Sequence, residues 1–313
     1  MAQAEETPVD QRSLFCPGLP GAGKTSLTSM VIDRLQESQA QGRLALEFFY
    51  CNFREQTTLL EILSILIRQV VHQHPIIPGL LETTYQKHLD LGSSLTVEGC
   101  LAILDSALAE LPKMFIVMDT LDECYLPPGH RRKLLMELFS LQKTRSLGLF
   151  VTSRDHPDIT ALFEGKTSIR IRASAVDVER FLKGQLSNLP RVVKHREDLK
   201  QVVTSAIAAS IDGMFLPARL HIDSIQGKRL VKQARESLKT LPTGLDAAYE
   251  GAWSRIESQL PDEVQTAKEV LSWISCATRP LTTRELQHAL AIEDDQHFLD
   301  EANIPEIEDL GAV

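Results

Sequence analysis

Residues 18–25 read Gly-Leu-Pro-Gly-Ala-Gly-Lys-Thr, and no other stretch restricts the fold as tightly. They fit the phosphate-binding pattern G-x-x-x-x-G-K-[ST], with a short apolar run before and an amphipathic helix pattern after. Gly18, Gly21 and Gly23 open backbone angles that other residues avoid, so consecutive N–H groups can converge on an anion. A helix starting near Lys24 points its positive end at the same place. Lys24 can reach the β- and γ-phosphates and the Thr25 hydroxyl can ligate Mg²⁺. The expected nucleotide-binding set is therefore Gly18, Leu19, Pro20, Gly21, Ala22, Gly23, Lys24, Thr25 and Ser26.

A second half of such a site is legible about ninety residues on. Residues 113–124 read Lys-Met-Phe-Ile-Val-Met-Asp-Thr-Leu-Asp-Glu-Cys, a buried central strand whose tip delivers Asp119 to the mouth of a sheet. A carboxylate there can hold Mg²⁺ through its water shell, so Thr25 and Asp119 are the expected metal ligands. Asp122 and Glu123 lie just past the tip, close enough to orient a water at the γ-phosphate. Residues 147–154 give another apolar strand, whose end presents Thr152, Ser153 and Arg154. In a doubly wound sheet that end sits beside the γ-phosphate, which makes Arg154 a candidate sensor of the nucleotide state.

Two more strands are expected, at 45–51 and at 167–172, the latter alternating so that Arg170 and Arg172 face away from the core. Helical spacing marks 59–73, 96–111 with Thr96 as a cap, and 131–141. From residue 177 strand signals vanish. Helical spacing covers 177–189, 197–211, 214–225, 230–238 and 245–260, with a turn at 241–244. Residues 261–293 read as two helices broken at 279–280, the second capped by Thr282 or Thr283. That pair fits a helix-turn-helix or the start of a winged helix, and a plain helical hairpin fits the periodicity equally well.

With 43% hydrophobic and 24% charged residues among 313, the chain can bury a sizeable core and suggests about two domains. Its net charge of −9 is uneven: residues 246–313 hold 15 acids against 4 bases, and the rest is close to neutral. Aromatics are 5% and no basic stripe runs among them, which disfavours direct nucleic-acid binding. The acidic run at 293–295 reads as a solvated helix end. Five scattered cysteines without a C-x-x-C pair, a polar acidic start and no long apolar stretch point to a reduced cytoplasmic location without a membrane span.

Taken in order, these segments resemble the NACHT nucleotide-binding module of fungal signalling proteins, within the signal-transduction ATPases. The likeness is carried by residues 14–25, Phe48-Phe-Tyr-Cys-Asn52, the Asp-Thr-Leu-Asp-Glu cluster at 119–123, 149–154, Gly213-Met-Phe-Leu216, 271–274 and 279–282. The resemblance implies an α/β fold: a five-stranded parallel sheet in the order 5-1-4-3-2, then an all-helical domain and a partial winged helix. The corresponding boundaries are a tail at 1–12, the nucleotide domain at 13–174, the helical domain at 175–260 and the winged helix at 261–313. It also implies ATP/ADP or GTP/GDP with Mg²⁺, slow hydrolysis supported by Asp122, Glu123 and Arg154, and a nucleotide-driven switch that forms homo-oligomers. Effector and repeat domains, such as ankyrin or WD40, would stand outside this stretch, as in a piece of a larger receptor. Pro217 departs from the family pattern and is expected to kink or start the helix it falls in. A metabolic P-loop kinase and an inert nucleotide-binding scaffold are the competing readings.

Overall fold

The computed structural model describes residues 11–53, 57–73, 86, 95–185, 189, 191–210, 213–226, 230–239, 249–250, 253–254, 256–279, 281–292, 299 and 301–305. The chain separates into two compact units. One is Met1–Val178 with Gly213–Leu216, and the other Glu179–Asp212 with Pro217–Val313.

The first unit is built on five parallel strands: β1 (Ser13–Pro17), β2 (Ala45–Tyr50), β3 (Met114–Asp119), β4 (Leu147–Ser153) and β5 (Thr167–Ser168). Across the sheet they run β2-β3-β4-β1-β5, which is the expected 5-1-4-3-2 read from the opposite edge. Side chains alternate between the two faces because a strand turns half a revolution per residue. Ile116, Met118, Leu149 and Val151 join one core, which helices α2 (Leu59–Gln73), α3 (Val97–Glu110) and α4 (His130–Thr144) cover. Leu46, Val117 and Phe150 pack on the other face with Ile32 of α1 (Lys24–Gln39). Helix α2 buries Leu59, Ile62, Leu63, Leu66, Ile67 and Val70, the three-four spacing read from the sequence. Thr96 caps α3, its hydroxyl accepting from the Gly99 N–H at 3.1 Å.

Two strand expectations change. The fifth strand pairs over Thr167–Ser168 alone, followed by a single bridge from Ile171 to Gly18, so it is shorter than 167–172. Ile169 is 54% exposed rather than in the core, and Arg170 does face out, paired with Asp155. In β2, Glu47 shares the face of Ala45 and is fully buried, with neither carboxylate oxygen bonded. An apolar run disguised this residue as one more strand position.

Among its described residues the second unit holds helices joined by turns and irregular segments, and no strand. Helices α5 (Ala175–Gln185), α6 (Glu197–Ser210), α7 (Phe215–Gln226) and α8 (Val231–Lys239) precede α9 (Pro261–Cys276) and α10 (Thr283–Leu290), which pack on each other. α5 and α7 each begin among residues of the first unit. Thr282 opens α10 with a reciprocal cap: its hydroxyl accepts from the Glu285 N–H at 3.2 Å, and Glu285 accepts from the Thr282 N–H at 2.9 Å. Pro217 is the third residue of α7, in the first turn, where its missing N–H leaves no bond unmade. It stands in the opening turn and is not the first residue of the helix. The tail at 1–10, most of 245–255, the turn at 241–244 and the acidic run at 293–295 lie outside the described residues.

Candidate nucleotide site

β1 ends in Pro17, and the next six residues turn the chain back into α1. Gly21 (φ 70°) and Gly23 (φ 96°) both take left-handed angles, and Gly23 is the N-cap of the helix. A side chain at Gly21 would also have no room, since a Cβ there would lie 2.4 Å from the Leu216 Cβ. The loop is fastened at both sides. Gly18 N–H donates to the Ser153 carbonyl at 3.0 Å, and the Gly21 carbonyl accepts from the Phe215 N–H at 2.7 Å. Residues 213–216, which fall inside the helical domain expected at 175–260, therefore rest on the phosphate loop.

Lys24 is buried, and its ammonium donates to the carbonyls of Gly18 at 2.9 Å and Leu19 at 3.1 Å. Burial draws its pKa below the usual lysine value, with Asp122 the largest of the charges that oppose the shift. Ala22 is buried within the turn, while Leu19 and Ser26 are exposed beside it and Pro20 is half-buried.

Asp119 is 1% exposed at the tip of β3 and collects three hydroxyls. Thr25 donates to its Oδ2 at 2.7 Å, while Thr28 and Thr152 donate to its Oδ1 at 2.5 and 2.6 Å. Thr152 in turn accepts the Thr120 N–H at 2.8 Å, and Thr120 holds a left-handed angle (φ 48°) unusual for a β-branched residue. That kink turns the chain from β3 into the 3₁₀ turn Leu121–Glu123. Thr25 and Asp119 offer the hard oxygen donors that Mg²⁺ takes. Among the described residues no group of three or more His, Cys, Asp or Glu is placed to hold a metal unaided, so the remaining ligands would come from phosphate and water.

Asp122, Glu123 and Arg154 come together as well. The Arg154 N–H donates to Asp122 Oδ1 at 2.8 Å, its Nε pairs with Asp122 Oδ2 at 3.1 Å, and its terminal nitrogen reaches Glu123 at 3.3 Å. These three border a cavity of about 450 Å³ with Phe53, Asp155, His156 and Pro157. In this arrangement both acids are engaged by the arginine.

Sequence reasoning missed Thr28 as a ligand-orienting group, although it lies one helical turn after Lys24 on the same face. Thr152 was placed at the right strand end without a role. Nothing local signalled Phe215 or Leu216, whose contacts with the loop span about two hundred residues.

Residues 2–154 match the family described as nephrocystin 3, N-terminal, and residues 258–310 match the winged helix domain of GPI inositol-deacylase. Vegetative incompatibility protein HET-E-1 of Podospora anserina is 27% identical over 305 residues, covering 91% of this chain and 22% of that protein. The chain thus spans about a fifth of that relative's length. Among solved structures, the ORC1 protein of Aeropyrum pernix, solved in complex with DNA, is 20% identical with a TM-score of 0.47, covering 92% of this chain and 74% of that one. A Walker-type ATPase of Pyrococcus abyssi is 12% identical with a TM-score of 0.46, covering 90% and 83%.

Proposed function

We propose that this chain, a NACHT-type module by its family matches and its fungal relative, is a nucleotide-dependent switch. It binds a nucleoside triphosphate with Mg²⁺, hydrolyses it slowly, and changes shape and self-association with the state of the nucleotide. The observation that most supports this is the 2.7 Å bond between Thr25 and Asp119, which joins the phosphate loop to the acid of β3 across 94 residues of sequence.

The loop's backbone N–H groups receive the β-phosphate at the positive end of α1. Lys24 exchanges the carbonyls of Gly18 and Leu19 for phosphate oxygens, a move its long stem allows without shifting the backbone. Thr25 and Asp119 would hold Mg²⁺, whose charge, once bound, offsets that of the phosphates. Thr28 and Thr152 keep the Asp119 carboxylate turned toward the metal. Asp122 and Glu123 orient the attacking water, and Arg154, bridging both acids, registers whether a γ-phosphate is present. A ligand moves a two-state equilibrium only by its differential affinity for the states, and the γ-phosphate is the group by which ATP and ADP differ. In the whole protein we place effector and repeat domains beside this module, in the cytoplasm, with homo-oligomers forming in the triphosphate state.

Calorimetry with Mg²⁺–ATP and Mg²⁺–GTP on the wild type and Lys24→Ala tests the site. Affinity should be lost in the variant, and equal affinity contradicts the assignment. Sedimentation with ATP and with ADP tests the switch: one unchanged species with both nucleotides would reduce the ligand to a structural one. Rapid turnover at roughly 1–100 per second with a small acceptor would return the kinase reading.

A further inference from the structure

The two faces of the sheet are not covered alike. One packs under α2, α3 and α4, while α1 packs on the other and leaves Leu14, Val31, Leu35 and Phe115 only partly buried. These four border a cavity of about 710 Å³ that lies wholly within the first unit. Its walls are the later half of α1, the starts of β1, β3 and β4, and the connection from α4 to β4. The phosphate loop, Asp119 and Arg154 stand at the opposite ends of the same strands. Gly148 shapes the floor: a Cβ there would lie 2.4 Å from the Phe115 ring, so the missing side chain lets that ring lie across β4.

Four bases and no acid line this cavity, in a chain whose net charge is −9. Two of the bases are engaged. Arg145 pairs through two nitrogens with Asp105 at 2.7 and 2.8 Å, and Arg12 donates to the carbonyls of Gln142 at 3.2 Å and Arg145 at 3.0 Å. Lys113 and Lys143 are exposed at the rim, and among the described residues neither meets a carboxylate. The Lys113 ammonium stands 4.8 Å from the centre of the Phe115 ring, which joins the rim charge to the apolar floor.

We infer that this cavity is a binding site for a small amphipathic anion, an unbranched acyl chain ending in a carboxylate. Its volume falls within the roughly 300–1,000 Å³ of small-molecule sites, which are mostly apolar with a few polar groups that fix orientation. The chain lies on Leu14, Val31, Leu35, Phe115 and Phe150, and the carboxylate, ionised at neutral pH, meets Lys113 and Lys143. A neutral chain gains nothing from the two ammonium groups, and a hydrophilic anion leaves the apolar floor in water. A folded protein partner fits less well, because concave space enclosed within one unit admits a chain more readily than a flat surface. The site does not rest on the proposed nucleotide function.

Calorimetry on the full chain with octanoate, decanoate and neutral 1-decanol tests this, without nucleotide and with saturating Mg²⁺–ATP. One decanoate should bind per chain. Each buried CH₂ contributes about fourfold to affinity, so decanoate should bind about tenfold or more tightly than octanoate. Lys113→Ala with Lys143→Ala, both at exposed positions, should keep the wild-type melting temperature, weaken decanoate about threefold or more and leave 1-decanol unchanged. Leu35→Glu should abolish binding of both; if that variant does not fold, the lysine pair decides. Equal affinity for octanoate and decanoate, or no effect of the lysine pair, overturns the proposal. So does competition by Mg²⁺–ATP, which would place the carboxylate in the phosphate loop. A dimer that decanoate dissociates would make a second copy the occupant, and decanoate bound only after residues 1–10 are removed would make that stretch the occupant; either result overturns it too. A chain that binds decanoate and no ATP contradicts the nucleotide function and leaves this site standing.

Discussion

Thr25 and Thr28 donate to the same carboxylate and should nevertheless fail in different ways when each is replaced by valine, which keeps the shape and removes the hydroxyl. Thr28 is 1% exposed, and its 2.5 Å bond to Asp119 lies where water cannot take its place. A hydrogen bond to a charged group contributes about 1.5–3 kcal/mol, and a buried acceptor left short of a donor costs its desolvation besides. Thr28→Val should therefore destabilise the first unit by about 2 kcal/mol. For a unit of this size that lowers the melting temperature by roughly 4–8 °C. Thr25 is exposed, so water can replace its hydroxyl on Asp119 Oδ2, and Thr25→Val should cost less than about 1 kcal/mol of stability. Its loss should appear as weaker Mg²⁺-dependent nucleotide binding. Scanning calorimetry with and without Mg²⁺–nucleotide separates the two. Equal melting shifts, or a Thr28→Val protein as stable as the wild type, would refute the view that buried hydroxyls fix this carboxylate.

Gly21→Ala combines a left-handed angle with a Cβ 2.4 Å from the Leu216 Cβ, whereas Gly129 takes a similar angle with nothing within 4 Å. Gly129→Ala should cost only the backbone term of about 1–2 kcal/mol, and Gly21→Ala should cost more and weaken nucleotide binding; denaturant midpoints and calorimetry compare them. Burial pushes the Glu47 pKa up to about 9, from an ordinary value of 4.5. The folded state then keeps a proton that the unfolded chain has lost, so stability is greatest below about pH 4.5 and falls, by up to about 1.4 kcal/mol per unit, until about pH 9. Glu47→Gln should flatten that slope in urea titrations at pH 6 and 8, and an unchanged slope would place the dependence elsewhere. Arg154→Ala removes ion pairs from a side chain that is 54% exposed, so stability should fall by less than about 1 kcal/mol while the difference between ATP and ADP in sedimentation is lost.

Much of the fold was legible where its signals are local. The glycine loop, the β3 run ending in Asp119, the α2 stripe from Leu59 to Val70 and the Thr96 and Thr282 caps each occupy a few consecutive residues, and their physics acts over that range. The strand order came from the family resemblance, since pairing β1 with β4 is a long-range fact that no local pattern carries. Glu47 was hidden for a related reason: an acid inside an apolar run reads as an exposed strand position until the covering helices are placed. The fifth strand was overread because alternation at 167–172 signals an extended chain, while pairing also needs a neighbour, and β1 provides one for only two residues and a bridge. Within the site, Asp119 stood out through its strand. Its partners Thr28 and Thr152 did not, because a threonine on a helix or strand becomes a carboxylate's donor only through the fold.

The central claim is that the phosphate loop and Asp119 grip one nucleotide and its metal together. The most direct test is ATP affinity with Mg²⁺ and with chelator, in the wild type and in Asp119→Asn. Mg²⁺ should tighten wild-type binding by about tenfold or more, near 1.4 kcal/mol, and should leave Asp119→Asn unchanged. The same gain from Mg²⁺ in both proteins would mean that Asp119 does not hold the metal.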